Sequence, residues 1–329
     1  MKTIALFFGG LSNEAEVSIM SAQNVVKYFD YRRYKLILIY WRKEDRRFYI
    51  IKNLSNLRVS SKNRLAVEDF SKYFDIALLM THGRYGEDGV LQAVLESQNV
   101  KYCGGRVLGS AVCMDKVLCK NLITAAGWRQ AKYSVLDFRA ASETELKKEK
   151  QKINQTFNYP LYIKPANSGS SVGISKIEKP SQFLSAIKEA LKHDTKILVE
   201  EGFVHPREIE VAVLGNEELI ISHPGELRLV KDFYDYKDKY KNGETQLIIP
   251  AQVTVAQAKE IKFLAEKVYR LTGSQGFARI DFFIAKNKVY INEINTLPGF
   301  TDISMFPMLM MNEGMSYKEL LNKIIALAY

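Results

Sequence analysis

Two acidic segments near the C-terminus carry the residue types that bind a divalent metal ion. Asp281 lies in "ARIDFF", and Glu293 and Asn295 lie in "INEIN". Residues two apart in a strand share a face, so a turn near 286–288 would bring Asp281 opposite the other two. Two carboxylates and an amide oxygen suit Mg²⁺, which completes its shell with phosphate oxygens and water. The alternative is a salt-bridged hairpin with Arg279, although the proline–glycine turn of "NTLPGF" favours a site.

A second segment, "KPANSGSSVGISK", has the composition of a phosphate-binding loop. Lys164 could neutralise phosphate charge, and the small residues Ser168 to Gly173 would let backbone N–H groups approach phosphate oxygens. The stretch is not a P-loop, because GxxxxGK[ST] is absent. A flexible surface turn remains the alternative for this segment taken alone.

Two further loops offer polar side chains near the N-terminus. In "FFGGLSNEAEVS", two glycines permit close approach of a ligand, and the following helix start favours anions. Glu14 and Glu16 could instead only complement the helix dipole. The loop "THGRYGEDG" offers His82 and Glu87, and a plain polar loop is the alternative there.

The elements that must position these residues fall into three segments. The runs "TIALFF", "YKLILIYW" and "DIALLM", with a helix over 12–29, predict a parallel sheet whose functional loops follow its strands. We expect an N-terminal α/β domain over 1–103, a central domain over 104–199 and a C-terminal domain over 200–329, the last two α+β. In the C-terminal domain, one helix carries a core stripe of Ala258, Ile261, Leu264, Ala265, Val268 and Leu271.

Composition narrows the class of protein. The 329 residues contain 47% hydrophobic residues, and no apolar run approaches the roughly 18 residues of a membrane span. Three cysteines without a CxxC pair indicate neither a disulfide framework nor a zinc site, so we expect a soluble protein of a reducing cytoplasm. The net charge of +10 comes from dispersed basic residues, which favours an anionic substrate over nucleic acid.

Taken together, the motifs resemble D-alanine:D-alanine ligases of the ATP-grasp superfamily. The resemblance runs in family order over nearly the whole chain. The segments that carry it are "GGLSNEAEVS", "THGRYGEDG", "CMDK", "YIKPANSGSSVG", "REIEVAVLG", "FYDYKDKY", "ARIDFF" and "NEINTLPGFT".

The resemblance implies a three-domain ATP-grasp architecture with ATP between the central and C-terminal domains. Mg²⁺, expected as two ions with Mn²⁺ as an alternative, would be held by the residues matching Asp281, Glu293 and Asn295. The first D-alanine carboxylate would attack the γ-phosphorus to give an acyl phosphate. The residues that the resemblance assigns to the nucleotide are Lys116, Lys164, Ser168, Ser170, Ser171, Glu200, Glu201, Phe203, Glu208 and Lys239.

The amine of the second D-alanine would then attack the acyl carbon, and Arg279 with the N–H of Gly299 matches the family's oxyanion stabilisers. Glu14 matches the acceptor of the first ammonium, with Ser170 and Tyr240 as its partners. Ser304 and Met305 match the second carboxylate site, and His82 lies near it with an open role, loop packing being the alternative.

The resemblance does not determine which molecule is the second substrate, the acceptor. Tyr240 accompanies the dipeptide-forming class, whereas Ile303 departs from the histidine or aromatic residue of many members. D-serine or D-lactate as acceptor is therefore an alternative to D-alanine, and a non-catalytic ATP-binding regulator is a further one. The resemblance also implies a homodimer.

Overall fold

The computed structural model describes residues 1–139, 142–228 and 246–328. Within these ranges, the strands form three sheets of six, four and six strands in chain order. Among the described residues, no helix combines the length and the apolar character that a membrane span needs.

The first sheet contains β1 (Thr3–Gly9), β2 (Lys35–Trp41), β3 (Phe48–Ile51), β4 (Arg64–Leu65), β5 (Ile76–Leu79) and β6 (Lys101–Cys103). Its order is β4-β3-β2-β1-β5-β6. Strand β1 runs parallel to β2 and β5, and β5 to β6, whereas β3 and β4 pair antiparallel. The predicted N-terminal parallel sheet is therefore confirmed, with an antiparallel edge. Its helices are α1 (Ala15–Tyr28), α2 (Phe70–Tyr73) and α3 (Val90–Ser97).

The central strand β1 shows how this sheet places a functional loop. Ile4 to Phe8 are fully buried, as expected for a strand that is covered on both faces. The strand ends at Gly9, whose φ is +85° and where a Cβ would lie 2.6 Å from the carbonyl oxygen of Trp41. Only glycine fits this position, and the chain turns there into the loop that carries Glu14.

The second sheet contains β7 (Tyr133–Asp137), β8 (Leu161–Pro165), β9 (Ser175–Ile177) and β10 (Lys196–Glu201) in the antiparallel order β7-β10-β8-β9. The helices of this part of the chain are α4 (Val107–Met114), α5 (Lys116–Ala125), α6 (Glu143–Thr156) and α7 (Phe183–Ala190).

The segment "SAVCMDKVLCKNLITAAG", which reads as one helix, forms two. Asp115 has an extended backbone, and its carboxylate accepts hydrogen bonds from the N–H groups of Val117 and Leu118, so it caps a new helix. This break lets Lys116 begin α5, and its N–H bonds the carbonyl of Ala166 at the end of β8.

The third sheet contains β11 (Arg207–Gly215), β12 (Leu219–Ile221), β13 (Gly225–Arg228), β14 (Gln246–Ile248), β15 (Phe277–Ala285) and β16 (Lys288–Asn295). Its order is β14-β13-β11-β15-β16, and β12 pairs with β11. Helix α8 (Val255–Leu271) packs on it through Ile261, Leu264, Ala265 and Val268, as predicted. Leu271 is 39% exposed and Ala258 is half-buried, and Tyr269 fills the core instead.

The end of the chain returns to the first sheet. Helices α9 (Met305–Asn312) and α10 (Tyr317–Ala326) place Phe306, Leu320 and Ile324 in the same core as β1 and β5. The predicted boundary at 199/200 falls inside β10, which pairs with β7 and β8. We therefore propose that the central domain extends to Glu201.

Candidate active site

One cleft, lined by residues of all three sheets and their loops, collects most of the predicted site residues. Ser304 and Met305 are not among its lining residues, and Lys239 and Tyr240 lie outside the described ranges. The predicted residues that line the cleft are Glu14, His82, Lys116, Lys164, Ser168, Ser170, Ser171, Glu200, Glu201, Phe203, Glu208, Arg279, Asp281, Glu293, Asn295 and Gly299.

The hairpin β15–β16 forms one wall of this cleft and brings the predicted metal ligands together. Asp281 pairs with Glu293 across the hairpin, and Arg279 pairs with Asn295. The Asn295 amide donates to Asp281 Oδ2 at 2.9 Å. Two carboxylates and one amide oxygen, with Glu293 about one-third exposed, form a hard-oxygen set that fits Mg²⁺ with phosphate and water as the remaining ligands.

The same wall contains the salt bridge that was the alternative interpretation. Arg279 Nε and Nη2 each donate to Asp281 at 2.7 Å, and Nε lies 3.0 Å from Glu210 Oε2. Burial lowers the pKa of Arg279, but Asp281 and Glu210 outweigh it and hold the pKa well above its ordinary value. The guanidinium is therefore a fixed positive charge beside the hairpin, and the two interpretations are compatible.

Lys164, which lines the cleft, and Lys120, which is not among its lining residues, share one buried carboxylate. Glu200 is 2% exposed, and it pairs with Lys164 and, at 2.5 Å, with Lys120. Burial raises the pKa of Glu200, but Lys120 and Lys164 outweigh it and lower the pKa to about 2. The cluster keeps one net positive charge close to where phosphate would bind.

Lys120 was missed in the sequence, although a signal for it exists. In "MDKVLCK", Lys116 and Lys120 are four residues apart on α5 and so share a face. Glu200 pairs with both lysines and also lines the cleft, so its predicted contact with adenine or ribose stays a prediction.

The predicted phosphate loop has a strained backbone. Ser170 and Ser171 have φ values of +46° and +59°, which cost on the order of 1–3 kcal/mol each in non-glycine residues. Lys116 Nζ donates to the carbonyl of Ser168 at 2.7 Å, and Asn167 is anchored through Asp194 at 2.8 Å. Strain held by such anchors is typical of ligand-binding loops, so it favours phosphate binding over a free surface turn.

The first loop of the chain contacts the phosphate loop through Glu14. The Ser170 hydroxyl donates to the Glu14 carboxylate, and the Glu14 N–H donates to Ser12 Oγ at 3.0 Å. Gly83 has a φ of +74°, and a Cβ there would lie 2.9 Å from Ser12 Cβ, so glycine is favoured at this position. Glu87 also lines this corner. Burial and, to a lesser extent, Glu14 raise the pKa of Glu87 to about 8.

The other predicted adenine and ribose residues, Glu201, Phe203 and Glu208, also line the cleft. Phe203 packs against Tyr290 and Phe283, with ring centroids 4.5 and 5.7 Å apart. Glu201 accepts a hydrogen bond from the Asn158 amide at 3.0 Å, and Glu208 is half-buried on β11. Phe203 gives the cleft an apolar surface, and Glu208 gives it a carboxylate.

Ser304 and Met305, the residues predicted for the second carboxylate, lie where α9 begins and not among the lining residues of the cleft. Met305 is 4% exposed and lies in the apolar core, and Ser304 Oγ bonds the N–H of Thr301 at 2.9 Å. Both residues begin α9, and a ligand could meet only their backbone N–H groups or the Ser304 hydroxyl. Ile303 is 56% exposed.

Comparison with known proteins identifies the family. Residues 3–105 match the family model for the D-Ala D-Ala ligase N-terminus, and residues 122–326 match that for its C-terminus. The chain is 42% identical to the D-alanine–D-alanine ligase of Geobacillus thermodenitrificans, over 100% of this chain and 96% of the relative. It is 40% identical to the enzyme of that name from Caldicellulosiruptor bescii, over 99% and 94%.

Solved structures agree. The VanG D-Ala:D-Ser ligase from Enterococcus faecalis superposes with a TM-score of 0.87 at 32% identity, covering 99% of both chains. The D-alanine–D-alanine ligase from Coxiella burnetii gives 0.83 at 31% identity, over 100% of this chain and 95% of that one. The three-sheet architecture is therefore that of the ATP-grasp ligases, and the chain belongs to the D-alanine–D-alanine ligase family.

Proposed function

We propose that this protein joins two D-alanine molecules to D-alanyl-D-alanine, a peptidoglycan precursor, and converts ATP to ADP and phosphate. The observation that carries this proposal is the convergence, in one cleft, of a carboxylate for an ammonium, lysines for phosphate and an acidic hairpin beside an arginine. Relatives about 40% identical over the full chain bear the name of this activity.

Lys116 and Lys164 would bind the ATP phosphates, with the N–H groups and hydroxyls of Ser168, Ser170 and Ser171 around them. Phe203 and Glu208 would contact adenine and ribose. Lys239 remains a prediction for a further phosphate contact.

Asp281, Glu293 and Asn295 would hold Mg²⁺, as two ions, and Mn²⁺ is a proposed substitute. When bound, the metal would neutralise phosphate charge as the phosphoryl group is transferred.

The first D-alanine would place its ammonium on Glu14, whose carboxylate Ser170 already orients. Its carboxylate oxygen attacks the γ-phosphorus, and the bond to ADP breaks. Tyr240 remains a prediction as a third member of this group.

The second D-alanine would attack the acyl carbon with its amine, which loses a proton as inorganic phosphate leaves. Charge develops on the acyl oxygen, and Arg279 with the Gly299 N–H is proposed to stabilise it. Because Arg279 is buried and permanently charged, it acts without reorganisation. Ser304 and the start of α9 are proposed to receive the carboxylate of this substrate.

An enzyme with a different acceptor is the second candidate. The high structural similarity to a D-Ala:D-Ser ligase and the exposed Ile303 both favour testing it. A non-catalytic regulator has less support, since Asp281, Glu293, Asn295 and Arg279 are all in place. We further propose a cytoplasmic homodimer without a nucleic-acid partner, which sedimentation of the purified protein would test for its oligomeric state.

The deciding experiment measures phosphate release from Mg-ATP with D-alanine, L-alanine, D-serine and D-lactate, singly and each paired with D-alanine, with products identified by mass. Release with D-alanine alone and a dipeptide mass is the expected result. Phosphate release only in a mixed pair would identify a different acceptor. No phosphate release with any of these compounds would refute the proposed ligase activity.

A further inference from the structure

The turn Leu297–Phe300, which carries Gly299, is held at both ends by side chains from distant parts of the chain. His82 Nδ1 lies 2.9 Å from the Leu297 carbonyl oxygen. The Phe300 N–H donates to Ser21 Oγ at 3.1 Å. Ser21 and His82 also bond each other, Oγ to Nε2, at 2.9 Å. One continuous chain of hydrogen bonds therefore joins the two ends of the turn.

The direction of this chain follows from the groups involved. The Leu297 carbonyl can only accept, so His82 Nδ1 carries the proton and Nε2 is left as an acceptor. The Ser21 hydroxyl then donates to Nε2 and accepts from the Phe300 N–H. Burial lowers the pKa of His82, which agrees with a neutral ring. Ser21 is the only described side chain bonded to both His82 and the turn.

The side chains that make and surround these bonds are buried. Ser21 is fully buried, His82 is 4% exposed and Tyr317 is 5% exposed. The Phe300 carbonyl accepts from the Asn24 amide at 3.0 Å and from the Tyr317 hydroxyl at 2.6 Å. The Phe300 ring packs in the apolar core. A hydrogen bond lost here leaves a buried polar group without a partner.

We propose that Ser21 is a positioning residue of the ligation reaction, which it serves by fixing the turn Leu297–Phe300 and with it the direction of the Gly299 N–H. The proposal rests on the proposed function. Ser21 does not line the cleft, so it acts through the Phe300 N–H and His82 and not by touching a substrate. Because a displacement of about 1 Å in a catalytic group can cost about 100-fold in rate, a hydroxyl that sets the turn has a measurable effect.

The test compares Ser21→Ala with Ser222→Ala. Ser222 is a matched control, because it is also fully buried and its hydroxyl accepts from the Ala212 N–H at 3.0 Å and donates to a carbonyl at 2.8 Å, outside the cleft. Ser21→Ala is expected to lower kcat about tenfold with an unchanged KM for ATP. Ser222→Ala is expected to lower the melting temperature similarly and to leave kcat within about twofold.

Hydrogen exchange of the Phe300 amide in the absence of substrates gives a readout that needs no turnover. Protection of this amide is expected to fall in Ser21→Ala and to persist in Ser222→Ala. Equal kcat in the two variants, or a protected Phe300 amide in Ser21→Ala, would overturn the proposal.

If Ser21→Ala does not fold, Ser21→Cys replaces it, because a thiol has a similar size and forms weaker hydrogen bonds. Ser21→Cys is expected to lower kcat about threefold at an unchanged KM for ATP, and wild-type kcat in this variant would equally refute the role. A wild-type protein without any phosphate release would refute the proposed function itself, before any variant is compared.

Discussion

The two sides of the cleft are held together by different forces. The phosphate side is built on buried charges, with Glu200 between Lys120 and Lys164. On the other side, where Arg279 pairs with Asp281 and Glu210, the turn that carries Gly299 is held by neutral hydrogen bonds from Ser21 and His82. Both regions are buried, so solvent does not explain the difference.

The difference between the two sides follows from what each side is proposed to bind. A triphosphate requires positive charge around it, and a carboxylate partner keeps a buried lysine charged. The Gly299 turn has to present one N–H in one direction, and neutral hydrogen bonds fix a direction without adding net charge. Substitutions on the first side should therefore change charge and stability together, and those on the second side mainly geometry.

Glu293→Gln should have the largest effect on turnover. This side chain is about one-third exposed and faces the cleft, so the fold should stay intact while the metal loses a ligand. We expect metal-dependent phosphate release to fall at least about 100-fold with an unchanged melting temperature. The control is Glu266→Gln, an exposed ion pair on α8. Near-normal turnover with Mg²⁺ would remove Glu293 from the metal site.

Glu200→Gln should combine a smaller kinetic effect with a large loss of stability. Both lysines would lose their shared partner in a buried site, which costs about 3–5 kcal/mol of unfolding free energy. We expect the KM for ATP to rise about tenfold, because Lys164 loses its fixed position. The control is Asp137→Asn on the same sheet, whose partner Arg139 is exposed. An unchanged unfolding free energy for Glu200→Gln would contradict the charge-based description of this side.

The raised pKa of Glu87, which lies near both the phosphate loop and the Gly299 turn, should make the stability of the protein depend on pH. Its pKa is raised from 4.5 to about 8, so its contribution to stability is full below pH 4.5 and is lost as the pH rises through 8. The unfolding free energy of the unliganded protein should fall by on the order of a few kcal/mol over this range. Denaturant titrations at pH 5 to 9 should show a smaller fall in Glu87→Gln. The exposed Glu16→Gln serves as control, and equal slopes in both variants would refute the prediction.

Ile303→Ala should have the smallest effect on stability and turnover. It tests whether an exposed side chain near the Gly299 turn contributes as much as the buried ones do. Ile303 is 56% exposed, so the unfolding free energy should change by less than about 0.5 kcal/mol. We expect the KM for the second D-alanine to change less than about threefold. Met311→Ala, at another exposed position, is the control. A tenfold rise in that KM would place Ile303 in contact with the acceptor.

Much of the cleft could be predicted because it depends on local patterns. Alternation along two neighbouring strands predicts Asp281 opposite Glu293, and the structure pairs them in the hairpin. A lysine followed by small residues indicates the phosphate loop, whose strained serines support that interpretation. The position of Met305 at the start of α9 could be predicted, but the burial of its side chain could not, because an apolar residue at a helix start gives no sign of which side of the helix the core covers.

The sequence by itself determined the parallel N-terminal sheet, the acidic hairpin and the family, because each depends on residue types at short, regular spacing. Tertiary structure alone decided which side chains share a partner. Lys120 meets Glu200 from 80 positions away, and Ser21 meets Phe300 across 279. These hydrogen bonds and buried ion pairs form between groups that only folding brings into contact, so no local pattern in the sequence predicts them.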